Sequence, residues 1–150
     1  MLNDKLTVTG NVFVKVFDAQ GNVKDSREFK NLVVTAGKTF IASSMLKTTN
    51  SPAAMTHMGL GTGATAAAVG DTTLQTPISG SRVTFSSATS STNVVTYVAS
   101  FPAGTGTGAV TEAGIFNDPT TGTMLCRTVF SVVNKGANDA MSITWQITVS

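Results

Sequence analysis

The run Gly59-Leu60-Gly61-Thr62-Gly63-Ala64 has the composition of a phosphate-binding glycine loop. That chemistry needs a preceding strand, a helix whose N-terminus faces the phosphate, and an acid about 20 residues on. Thr65-Ala66-Ala67-Ala68-Val69-Gly70-Asp71 follows instead, too short and too weakly patterned for that helix, so the glycines read as a loop. His57 is the sole histidine, and the nearest acid along the chain is Asp71. General-base work also requires a nucleophile and an orienting acid, so a structural histidine on a strand is the simpler reading. Cys126 is the single cysteine and sits in the apolar run Met124-Leu125-Cys126-Arg127-Thr128-Val129-Phe130. That excludes an intrachain disulfide and paired zinc-ligand spacing, and it points to a buried thiol rather than a nucleophile.

The carboxylates Asp4, Asp18, Asp25, Glu28, Asp71, Asp118 and Asp139 are mostly isolated and mostly in turns. No DxDxDG run is present to hold calcium. Asp118-Pro119 and Asn138-Asp139 fit side chains that bond their own turn backbone. Glu112 differs, because it stands among apolar neighbours in Val110-Thr111-Glu112-Ala113-Gly114-Ile115-Phe116. A charge there is expected to pair across strands with Arg127 or Arg82 in a structural role. Tyr97, Trp145 and the phenylalanines fall on apolar faces and read as core, not as a stacking platform for sugars or bases. The expectation is therefore no enzyme: no catalytic residue, no metal, no cofactor.

The elements that position these residues are mostly strands. Residues 5–18 alternate, with Val8, Val12, Val14 and Val16 on one side and Thr7, Thr9, Asn11 and Lys15 on the other. Ala19-Gln20-Gly21-Asn22 is a turn into a charged second strand over 23–30. Thr35 is the expected N-cap of one short helix over 36–46, whose Phe40, Ile41, Met45 and Leu46 are expected to pack on a sheet. A polar loop over 47–54 follows. Further strands are expected over 56–60, 82–87, 93–101, 110–116, 123–133 and 141–149. The last has the cleanest alternation: Met141, Ile143, Trp145, Ile147 and Val149 against Ser142, Thr144, Gln146, Thr148 and Ser150. About eight short strands and one helix predict a single all-β domain over 1–150, an antiparallel β-sandwich or jelly roll.

Composition narrows the role. Only 12% of the 150 residues are charged, and the 64 residues from 48 to 111 carry two charges, Asp71 and Arg82. A soluble domain ordinarily keeps about a quarter of its residues charged. Seven of the ten Lys and Arg lie between Lys5 and Lys47, interleaved with acids, so no basic stripe for nucleic acid forms. No apolar run reaches the length of a membrane span. Residues 1–5 show no basic region followed by an apolar one, so synthesis in the cytoplasm is expected. A weakly charged surface of hydroxyls and methyls suits contact with other subunits. The expected contact residues are Leu2, Lys5 and Leu6 in an N-terminal arm, Thr65 and Val69 in one loop, and Thr105 and Thr107 in another. Loops 64–70 and 103–108 are expected to be ordered mainly by neighbouring subunits.

The stretches Asn31-Leu32-Val33-Val34-Thr35-Ala36-Gly37-Lys38, Met58-Gly59-Leu60-Gly61-Thr62-Gly63 and Thr111-Glu112-Ala113-Gly114-Ile115-Phe116-Asn117, with residues 123–149, resemble small virion structural proteins of tailed bacteriophages. The resemblance implies a homo-oligomeric capsid cement or decoration protein that binds the major capsid protein and stabilises joints between its subunits. A tail-fibre or baseplate module for host attachment is the alternative it implies. A glycan-degrading enzyme ranks third.

Overall fold

In the computed structural model, which describes residues 4–46 and 51–150, ten strands and one helix are present among the described residues. β1 (Val8–Phe17) and β2 (Val23–Lys30) form a hairpin. Asp18 Oδ1 accepts the amides of Gln20 and Asn22 in its turn, and Gly21 takes the left-handed conformation that the turn needs (φ 84°). β3 (Leu32–Val33) leads into α1 (Thr35–Ser44). β4 (His57–Gly61), β5 (Val83–Thr84), β6 (Ser87–Ser91), β7 (Val94–Phe101), β8 (Gly108–Phe116), β9 (Met124–Lys135) and β10 (Ala140–Val149) complete the set.

The strands make two antiparallel five-stranded sheets, ordered β2-β1-β10-β7-β6 and β3-β9-β8-β4-β5, packed as an all-β sandwich. The alternation in β1 and β10 sets the core directly. Val12, Val14, Val16, Met141, Ile143, Trp145 and Ile147 face inward and are buried, while their polar neighbours face out. Each such side chain contributes about 1.5–3 kcal/mol when removed from water. Thr7 and Ser150 close the β1–β10 pair by exchanging backbone hydrogen bonds of 2.6 and 2.9 Å. Aromatic pairs shut the two open sides of the sandwich. Phe29 stacks on Phe130 at 4.6 Å on one side, and Phe85 packs on Tyr97 at 4.7 Å on the other.

Three expectations need correction. The segment expected as one strand over 82–87 is two short strands in different sheets. Phe85 N–H bonds Thr56 O in one sheet, and Ser86 N–H bonds Val98 O in the other, so the chain crosses over between them. The helix begins one residue earlier than expected. Thr35 lies inside it, and Val34, buried at the cap position, makes no side-chain cap bond. Met45 and Leu46 are 77% and 72% exposed rather than packed on a sheet, because the helix ends at Ser44 and both lie in the turn beyond it. At Gly37 a Cβ would strike the Leu125 carbonyl, so only glycine allows this close approach, and Phe40 and Ile41 complete the contact. Leu2 and residues 47–50 of the expected polar loop lie outside the described residues.

Candidate functional site

The connection from β4 to β5 lies across the outer face of the second sheet. Leu74 in this connection packs with Val34, Phe116 and Met124 into a small second core. A register shift between Val110 and Glu112 lets β8 turn Val110 and Ala113 into the main core while Glu112 faces the connection. On the neighbouring strand, Arg127 faces the same way.

These two charges form a saturated network. Arg127 and Glu112 have wholly buried side chains and pair at 2.8 Å. Glu112 Oε1 accepts the amides of Gly63 and Thr76, and its Oε2 accepts the Gln75 amide and Arg127 Nε–H. Arg127 also donates to the Asp71 carboxylate at 2.8 Å and to the Thr65 carbonyl at 3.1 Å. Burial pushes the Glu112 carboxyl up, but the Thr76 and Gln75 amides and the guanidinium outweigh it and leave it below its ordinary value. The glycines that resemble a phosphate loop take their meaning here. A Cβ at Gly61 or Gly63 would occupy the space of the Glu112 carboxylate. They admit a protein carboxylate, and Gly61 itself belongs to β4.

Loop 64–70 is thus ordered by its own chain, contrary to expectation: Arg127 grips it from beneath, and Val69 O accepts Thr35 N–H at 2.7 Å. The same correction applies to 103–108. Lys135, buried on β9, donates through Nζ to the carbonyls of Pro102 and Asp139. Gly104 N–H adds a bond to Ala137 O, and Asp139 in turn accepts from Gly136 N–H and from Lys24 at 2.6 Å. Sequence spacing did not reveal either clamp, because their carbonyl and amide partners come from irregular segments. The readable signal was narrower: an acid and a base, each alone in an apolar strand.

The remaining expected residues are dispersed. His57 opens β4, and its ring is bonded to Thr56 Oγ1 at 2.7 Å and Thr84 Oγ1 at 3.4 Å, two hydroxyls in place of an acid. Cys126 is buried in the main core, and burial pushes its thiol up. Asp118 bonds the amides of Thr120 and Thr121, which lower its carboxyl to about 2. Arg82 lies over the Phe116 ring at 3.6 Å and does not reach Glu112; it donates instead to the carbonyls of Asp118 and Thr121. Of the expected contact residues, Lys5, Leu6, Thr65, Val69 and Thr107 are exposed and Thr105 is half-buried. Thr65 joins the buried network through its carbonyl, while the side chains of the set do not gather at it. The buried charges Glu112, Arg127 and Lys135 are spent on holding loops, and the loops present small uncharged side chains outward. No family model, no curated protein and no solved structure matches the chain.

Proposed function

We propose that this chain is a virion structural protein of the capsid cement or decoration kind, binding the major capsid protein and copies of itself. The observation that carries the reading is where the charge sits. Glu112, Arg127 and Lys135 lie inside as loop clamps. The outward side of loop 64–70, of β6 and of loop 103–108 carries Ala, Thr, Ser, Val and Gly. A rigid scaffold presenting such a surface loses little conformational freedom on docking, and it desolvates few charges. The four stretches resembling small phage virion proteins supply the particle.

Quantitative mass spectrometry of purified particles tests the reading. A copy number comparable to that of the major capsid subunit is expected. A few copies per particle, with loss of adsorption and intact heads on deletion, would replace it with a tail-fibre or baseplate role. Absence from particles would end both.

A further inference from the structure

Each sheet of the sandwich has two edges, and three of the four are guarded. β2 carries five charged residues in eight, Lys24, Asp25, Arg27, Glu28 and Lys30, and leans on the opposite sheet through Phe29–Phe130 and the Arg27–Ser131 hydrogen bond. β3 and β5 are two residues long. Charge, cover and shortness are the ordinary means of preventing strand addition. Among the described residues, β6, Ser87-Ala88-Thr89-Ser90-Ser91, has none of them. All five residues are exposed, none is charged or proline, and the pairing with β7 runs without a register shift. Peptide groups alternate along a strand, so those turned away from β7 have no partner in the sheet among the described residues.

We propose that β6 is a self-association edge: two copies of this chain pair β6 with β6, antiparallel, about a two-fold axis at Thr89. The strand is self-complementary in that register. Thr89 meets Thr89 of the second copy, Ala88 meets Ser90, and Ser87 meets Ser91. Every opposed pair is small, hydroxyl-bearing or methyl-bearing, and free of like charges, which favours cross-strand contact. β2 could not occupy this place without setting five charged side chains along an uncharged strand. The two sheets join into one running from β2 to β2 of the second copy. This contact gives the assembly role above its homotypic element and rests on that reading for its purpose, but the cross-linking that decides it uses the isolated chain.

Cysteine cross-linking reads the register. Cys126 is buried, so a cysteine placed on an edge is the accessible thiol. Opposed Cα atoms in an antiparallel pair stand about 4.5–5.5 Å apart, within disulfide reach. Thr89→Cys is expected to oxidise to a covalent dimer at least about tenfold faster than Ser26→Cys on the exposed part of β2. A mixture of Ser87→Cys and Ser91→Cys is expected to give the mixed dimer in preference to either self-dimer. Adding Thr89→Lys to both should slow that mixed dimer. Equal rates for Thr89→Cys and Ser26→Cys would overturn the proposal, as would self-dimers of Ser87→Cys forming as readily as the mixed one. If those rates are equal while Thr89→Lys still blocks incorporation into particles, β6 receives a strand of another protein, and homotypic pairing is again overturned.

Discussion

Glu112 and Arg127 hold each other, but backbone amides decide what their removal costs. Glu112→Gln leaves Arg127 buried with Asp71 as its one acidic partner and weakens the bonds to Gly63, Gln75 and Thr76. Breaking one side of a buried pair costs about 3–5 kcal/mol. We expect a loss of about 3 kcal/mol, seen as a fall in Tm of roughly 10 °C for a chain of this size. Isolated buried ion pairs can often be exchanged for apolar residues without loss. Here the double variant Glu112→Leu/Arg127→Leu should also be destabilised, because three loop amides would each lose an acceptor at about 1–3 kcal/mol. A double variant as stable as the parent in urea titration would show that the loop finds other partners.

At the level of elements, the β6–β7 hairpin carries local strain. Thr92, in its two-residue turn, sits at φ 51°, where a β-branched residue is an outlier. Its hydroxyl bonds within the turn, to Ser91 O and Asn93 Oδ1. Asparagine tolerates that backbone region, so Thr92→Asn should raise stability by about 0.5–1 kcal/mol in chemical denaturation. A loss of stability would mean the hydroxyl contributes more than the strain costs. The same hairpin shows where sequence reading stops. β1 and β10 were legible because one face of each is buried, which forces strict alternation onto the residues. β6 is exposed on both faces, so nothing in Ser-Ala-Thr-Ser-Ser distinguishes a strand from a loop. The crossing at Phe85 and Ser86 was hidden for the opposite reason, since Val83 and Phe85 alternate as though in one continuous strand. Thr35 was the better cap by chemistry, yet Val34 holds that place because the second core needs its side chain. The Glu112–Arg127 pairing could be anticipated from two misplaced charges. Asp71 and the loop carbonyls could not, since only the path of the β4–β5 connection brings them in.

For the whole molecule, five carboxylates act in one direction with pH. Glu112, Asp71, Asp118, Asp139 and Asp25 all have carboxyls below their ordinary values in the fold, through hydrogen bonds and neighbouring cations. A lowered folded value means the unfolded chain takes up protons first as pH falls. The stability these groups provide is complete above the ordinary carboxylate range and is lost progressively below it. The urea midpoint should therefore be flat near neutrality and fall from about pH 5 toward about pH 2. Glu112→Gln should lower the plateau and flatten the fall. A midpoint independent of pH down to 2 would contradict the role given to these groups.

Thr7 and Ser150 lie side by side where β1 and β10 meet. Tension drawn through those two points would open that ladder from one end, Val8 and Val149 first, loading a single pair at a time. A grip on the body of the sandwich, at β6 or at the turn around Asp118, would spread the same load over many hydrogen bonds at once. A tether through Thr7 and Ser150 would thus part like a zip, whereas a hold on the flanks of the sandwich would not.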